Sequence, residues 1–128
     1  MLMPYWIQRA DMSSTDHGPV DTNQAVNDFL NYDWDAEQRL FDELDARYED
    51  PCPAGFGFCD DDRGRRLHVC LDGKDRFSFF YDCRHKVLGL IPHFKSMSSE
   101  KMSMAEAAEA IRRFFDGDHE WLVHTCGR

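Results

Sequence analysis

Alternating apolar and polar residues in the middle of the chain constrain its fold more than any other feature. Residues 66–72 (RLHVCLD) and 76–82 (RFSFFYD) have the period of two that a half-buried strand requires. Between them, Asp72-Gly73 is typical of a two-residue hairpin turn, because glycine tolerates the positive φ of that turn. The pattern predicts a β-hairpin.

Further strands are expected on both sides of this hairpin. Residues 55–60 (GFGFCD) lead through a tip at 61–65 into the first strand, and a turn at 83–86 (CRHK) leads into a fourth strand at 87–94. Because Pro92 cannot donate to a ladder, this fourth strand is expected at the edge of the sheet. The region is predicted to be an antiparallel meander.

Two helices are predicted before the meander. Asp21 or Thr22 is placed to cap a short helix that runs to about Tyr32. A second helix is expected over Trp34–Glu49, and prolines follow at 51 and 53 to end it. Upstream, residues 5–11 indicate a first strand, and the polar residues 12–22 are typical of a loop.

The last helix has the clearest signature. Ser103 and Glu106 match a capping box, and Gly117 is a natural stop. Its apolar positions follow the helical period at Met104, Ala107, Ala108, Ile111, Phe114 and Phe115. A polar loop is expected at 95–102 and a short closing strand at 119–125. The chain is therefore predicted to be a single α+β domain, residues 1–128, with an antiparallel meander of about four to six strands and two or three helices packed on it.

The surplus charge is concentrated in residues 33–62. This segment carries eleven carboxylates and two arginines, which equals the whole net charge of −9, and the remaining acids and bases balance. A concentrated negative field attracts a cationic partner and repels polyanions. We expect no binding to nucleic acid or to an anionic membrane.

At helical spacing, the second helix separates an apolar face from an acidic one. The residues expected toward the core are Trp34, Leu40, Phe41, Leu44 and Tyr48. The adjacent acidic positions are Asp35, Asp42, Asp45 and Glu49. Two i,i+4 pairs, Asp35 with Arg39 and Glu43 with Arg47, are expected to neutralise part of the surroundings.

These acidic positions are the candidate contacts with a basic partner protein. Trp34 and Tyr48, at the ends of the helix, are candidate aromatic anchors of the same interface. Asp60, Asp61 and Asp62 form a second acidic group at the predicted hairpin tip. A solvated face with no partner is the alternative interpretation of the acidic helix.

The sequence gives no positive case for an enzyme, a metal site or a cofactor. Cys83-Arg84-His85 places a thiol, a cation and an imidazole together, but no orienting group accompanies them. The histidines lack zinc-ligand spacings, and Asp60–Asp62 lack the alternation of a calcium loop.

Five cysteines without a CxxC pair indicate reduced thiols in the cytoplasm. No stretch is long enough for a signal peptide or a membrane span.

The last two thirds of the chain resemble bacterial immunity proteins of polymorphic toxin systems, of the immunity protein 1 type. The resemblance lies in a late pattern carried by Ala107, Ala110, Phe114 or Phe115, Gly117 and Trp121. It departs from the family before the closing tryptophan, where residues 118–120 (DHE) replace the usual proline.

The resemblance implies stoichiometric, non-catalytic neutralisation of a cognate toxin domain, commonly a nuclease or a nucleic acid deaminase. Such a toxin presents a basic cleft, which agrees with the charge argument. The alternative is a small cytosolic accessory or regulatory module that binds a protein through its sheet. The oligomeric state stays open.

Overall fold

The computed structural model describes the backbone of residues 1–87 and 91–126 and the side chains of residues 1–83 and 96–126. The elements in these ranges are β1 (Met3–Gln8), β2 (Ser14–Val20), α1 (Thr22–Asn31), α2 (Trp34–Ala46), β3 (Gly55–Asp60), β4 (Arg65–Leu71), β5 (Phe77–Val87), β6 (Ile91–Met102), α3 (Met104–Phe115) and α4 (His119–Cys126).

The strands form an antiparallel sheet in the order β2-β1-β3-β4-β5-β6. From β3 to β6 each strand pairs with the next one along the chain, whereas α1 and α2 carry the chain from the edge strand β2 past β1 to β3. Four helices pack against the six strands, so the predicted α+β class is confirmed, and α4 is added to the two or three helices expected.

The core lies on one face of the sheet because the strand register aligns apolar residues in rows. One row crosses β1, β3, β4 and β5 through Tyr5, Phe58, Leu67 and Tyr81, and the next through Ile7, Phe56, Val69 and Phe79. All eight side chains are buried. Helices α1, α3 and α4 cover these rows with a set that includes Val26, Phe29, Ile111, Phe114 and Leu122.

Side-chain caps fix where the helices begin. Asp21 accepts a hydrogen bond from the Gln24 backbone N–H at 2.8 Å, as expected for the first helix. Ser103 and Glu106 form the expected capping box. Each cap satisfies backbone donors that a helix leaves unpaired at its first turn.

The loop expected at 12–22 is wrong, because Ser14–Val20 form strand β2. The segment is polar and contains Gly18 and Pro19, which disfavour a strand. However, β2 lies at the edge and pairs only with β1, so its outer face needs neither apolar residues nor every backbone donor.

The predicted turn at 83–86 and the loop at 95–102 are also wrong, because β5 and β6 form one long hairpin. β5 continues to Val87, and β6 runs to Met102. Residues 88–90, which belong to the fourth strand predicted at 87–94, lie outside the described residues. The position of Pro92 on an edge strand is confirmed, since β6 ends the sheet.

Two smaller predictions fail for local reasons. The turn between β4 and β5 spans residues 72–76, with the Asp72 N–H bonded to the Arg76 carbonyl at 2.8 Å, and positive φ falls at Gly73 and Asp75. The closing segment is helix α4 and not a strand, because the Asp118 carboxylate accepts from the Trp121 N–H at 3.2 Å and starts a new helix after Gly117.

Candidate protein-binding surfaces

The acidic face of α2 is shorter than the sequence predicts. The helix ends at Ala46, not at Glu49, and Tyr48 has a φ of 58° in the segment that follows. Asp35, Asp42 and Asp45 are exposed on the helix, and we call these three residues the α2 stripe. Glu49 is also exposed but lies beyond the helix end.

Of the two ion pairs expected on α2, one is present among the described residues. Glu43 is paired with Arg47, but among the described ion pairs Asp35 is not joined to Arg39. Asp42 accepts a hydrogen bond from Gln38 Nε2 at 3.0 Å, which orients the carboxylate without neutralising it. The α2 stripe therefore keeps its negative charge.

A buried carboxylate on the opposite side of α2 fixes the helix to the sheet. Glu37 accepts from Arg9 Nε at 2.7 Å, from Tyr32 Oη at 3.0 Å and from the Ala10 N–H at 3.1 Å. Burial, and hydrogen bonding to this carboxylate, raise the pKa of Tyr32 to about 12, so its hydroxyl keeps the proton that it donates. Three donors from outside α2 thus hold the α2 stripe in a defined orientation.

The two candidate aromatic anchors have opposite environments. Trp34 is buried, and its indole Nε1 donates to the Phe29 carbonyl at 2.8 Å, so its assignment to the interface is corrected: the ring belongs to the core. Tyr48 is 94% exposed and is free to contact a partner. Its predicted position on the core face of the helix was wrong because α2 ends before it.

The acidic hairpin tip also divides into buried and exposed residues. The side chain of Asp60 is only 2% exposed and accepts from the Arg63 N–H and Nη1, so it is corrected from a surface contact to a structural carboxylate. The Arg63 guanidinium lies so close to Gly117 that a Cβ there would collide with it. This contact joins the hairpin tip to the end of α3. Asp61 and Asp62 remain exposed.

The α2 stripe and the hairpin tip do not form one surface. A groove bordered by Phe41, Leu71 and Gly73 places α2 beside the end of β4, whereas Asp61 and Asp62 lie beside the N-terminal residues of the chain. The two ends of β3 are about 17 Å apart at strand rise. One partner would have to span this distance to contact both.

A row of aromatic side chains on the sheet face opposite the core was missed by sequence reasoning. Trp6, Gly57, His68 and Phe80 are aligned across β1, β3, β4 and β5. The indole occupies the space over Gly57, where a Cβ would collide with it, and it stacks toward His68 with centroids 6.2 Å apart. Phe80 is 46% exposed. The alternating glycines at 55 and 57 were the sequence signal for this row.

A groove of about 620 Å³ lies between β1, β2 and α1. Its wall contains parallel rings from two strands, since Tyr5 and His17 stack at 4.6 Å with an interplanar angle of 5°. Asp28 on α1 accepts from Tyr5 Oη at 2.7 Å. No stretch of sequence indicated this groove, because its residues come from three separate elements.

The thiols give little support to covalent chemistry. Cys83 is buried and lies within β5, not on a turn, while the side chains of Arg84 and His85 lie outside the described residues. Burial raises the pKa of Cys70 to about 12 and of Cys126 to about 11, which disfavours their thiolates. Across the described side chains, no group of three or more His, Cys, Asp or Glu residues is arranged to hold a metal ion.

No family model, curated protein or solved structure matches this chain. Among the helices of the described residues, none has the length and apolar character needed to cross a membrane.

Proposed function

We propose that this protein is an immunity protein that binds and neutralises a cognate bacterial toxin domain, a nuclease or a nucleic acid deaminase, without catalysis. The α2 stripe is the observation that carries the proposal. Asp35, Asp42 and Asp45 are exposed, lack an ion-pair partner among the described residues, and belong to a helix that Glu37 anchors. A fixed array of uncompensated carboxylates complements a basic surface.

The physical advantage of such a surface lies in association. A toxin that acts on nucleic acid needs a basic cleft, and opposite fields raise the association rate by about 10 to 1000-fold at low salt. Affinity depends more on a few central contacts than on the number of charges. Tyr48, which is exposed next to the stripe, is the aromatic side chain available for that role.

We further propose that the protein acts in the cytoplasm. All five cysteines are free thiols, which is typical of proteins in a reducing compartment. Asp61 and Asp62 are a second contact for a partner large enough to reach both ends of β3.

The test uses the product of the gene next to this one as the candidate toxin. Purified protein should form a one-to-one complex with it, and Asp42→Lys/Asp45→Lys should lower the association rate constant at least about tenfold at low salt and weaken its salt dependence. The matched control is Glu100→Lys/Glu120→Lys, which makes the same change in net charge at other exposed positions. Equal rates for both variants would exclude the α2 stripe, and no complex with the neighbouring product would overturn the immunity function.

A second candidate function rests on the aromatic row of Trp6, His68 and Phe80. A contiguous row of three rings on the open sheet face, with Phe80 exposed, favours an accessory or regulatory module that binds a cytosolic protein through its sheet. In that case Phe80→Ser should abolish capture of the partner, while Asp42→Lys/Asp45→Lys should leave it unchanged. The reverse result favours the immunity function.

A further inference from the structure

One carboxylate in the protein differs from all others that are withdrawn from solvent. Of the 24 acidic side chains, six are buried or half-buried: Asp28, Glu37, Asp60, Asp82, Glu109 and Asp118. Five of these have an arginine nitrogen within 4.0 Å, with closest distances from 2.7 to 3.3 Å. Asp28 is the exception, because it belongs to none of the described ion pairs.

Asp28 is nevertheless held in a fixed orientation. Its Oδ2 accepts from Tyr5 Oη at 2.7 Å, and its Oδ1 accepts from Gln24 Nε2 at 2.6 Å. Both donors are neutral, so the carboxylate is oriented but its charge is not compensated. A charge withdrawn from water is normally paired within the protein, because desolvation makes an unpaired charge costly.

The surroundings of Asp28 suit a cation. It lines the groove between β1, β2 and α1, whose volume of about 620 Å³ is in the usual range for ligand sites. The other charged residue in the lining is Arg9, which is already ion-paired with Glu37, so Asp28 is the lining charge that has no counter-ion among the described ion pairs. The rings of Tyr32 and His17, which also line it, offer faces on which a flat cation can stack.

We infer that this groove binds an arginine side chain of the partner protein, with Asp28 as its counter-ion. A guanidinium is planar, so it stacks on aromatic faces while donating two hydrogen bonds to a carboxylate, which the compact ammonium of lysine cannot do. The inference rests on the proposed function only for the identity of the partner. A basic toxin surface would supply the arginine, and the groove adds a specific contact to the non-specific attraction of the α2 stripe.

The groove is tested without any partner, using Nα-acetyl-arginine amide as the probe and its neutral isostere Nα-acetyl-citrulline amide as the reference. In amide NMR titrations the arginine probe should saturate and shift the resonances of His17, Asp28 and Tyr32. The citrulline probe should bind at least about tenfold more weakly, since it lacks the charge-assisted hydrogen bonds. Equal binding of the two probes, or shifts confined to α2, would overturn the inference.

Asp28→Asn and Asp16→Asn are the matched variants. Both remove one carboxylate, but Asp16 is exposed on β2 and does not line the groove. Asp28→Asn should weaken the arginine probe about tenfold or more, whereas Asp16→Asn should leave its affinity unchanged. Folding is checked by thermal unfolding, in which both variants should keep a single cooperative transition; Asp28→Asn loses some stability because its hydrogen bonds with Tyr5 and Gln24 are no longer charge-assisted. Retained affinity in Asp28→Asn would overturn the role of Asp28, whatever the result with the neighbouring gene product.

Discussion

The guanidinium Nε of Arg9 lies 2.7 Å from Oε1 of Glu37 and joins the end of β1 to the inner face of the acidic helix. The carboxylate is 2% exposed and the arginine 46% exposed, so the pair lies at the boundary of the core. An acidic residue in the most acidic part of the chain thus serves the fold, and its bonds orient the acids that remain free.

Glu37→Gln should therefore destabilise the protein by about 1 to 3 kcal/mol, because charge-assisted hydrogen bonds to Arg9 and to the Ala10 N–H are weakened while the half-exposed arginine stays solvated. The matched control is Glu43→Gln, which removes the exposed pair with Arg47 and should cost less than about 1 kcal/mol. Urea unfolding measures both. Equal losses would mean that Glu37 does not anchor α2.

Gly57→Ala should disturb the aromatic row on the open sheet face. The new Cβ would collide with the Trp6 indole, which must move away from the strand, and overpacking of this kind costs about 1 to 3 kcal/mol. The shift should be visible in the tryptophan fluorescence maximum. Gly18→Ala is the control, since a Cβ there meets nothing within 4 Å, and it should leave both stability and fluorescence unchanged.

The sequence predicted the elements whose signals are local. The α3 capping box, the Asp21 cap and the alternation of Phe77, Phe79 and Tyr81 depend on residues only a few positions apart. β2 and the second half of β6 are polar, and they become strands only because β1 and β5 offer them partners. Pairing between distant segments is not visible in a local pattern.

In the candidate surfaces, too, the features set by local sequence were predicted and those set by distant contacts were not. The exposure of Asp35, Asp42 and Asp45 follows from helical spacing. The burial of Glu37, in contrast, depends on its bond to Arg9, which is 28 residues away in the sequence. Asp60 was assigned to the surface because hairpin tips are usually solvated, yet it is buried and paired with Arg63, whose guanidinium in turn lies against Gly117 at the end of α3. The Asp28 groove joins residues from β1, β2 and α1, so only the folded chain defines it.

Arg63→Ala should be more damaging than its position on a hairpin tip suggests. The variant would leave the Asp60 carboxylate, which is only 2% exposed, without its cation. Loss of one partner of a fully buried pair costs about 3 to 5 kcal/mol, and this range is an upper bound here because Arg63 is 39% exposed. Asp60→Asn combined with Arg63→Ala should recover part of the loss, because the unpaired charge is then absent. A double variant as unstable as the sum of the single ones would show that the two residues act independently.

Stability should decrease as the pH falls below about 6.5, the ordinary pKa of histidine in an unfolded chain. Burial lowers the pKa of His68, and burial together with the Arg65 charge lowers that of His119. A histidine whose pKa is lowered by folding binds fewer protons in the folded state, so its contribution is complete above the unfolded pKa and is lost as the pH falls through the folded one.

A hydrogen bond of 2.7 Å between Tyr81 Oη and His119 Nδ1 holds the imidazole in its half-buried position beside Arg65. Burial raises the pKa of Tyr81 to about 12, so its hydroxyl keeps the proton and can serve either tautomer of the ring as donor or acceptor. The cost of protonating His119 therefore comes from its burial and from the Arg65 charge. His119→Gln keeps an acceptor that does not titrate. Urea unfolding at pH 7.0 and 5.5 should therefore show a smaller pH-dependent loss in His119→Gln than in the parent protein, while His124→Gln, on the same helix, should keep the parental loss. An identical loss in all three proteins would exclude His119 as a source of the pH dependence.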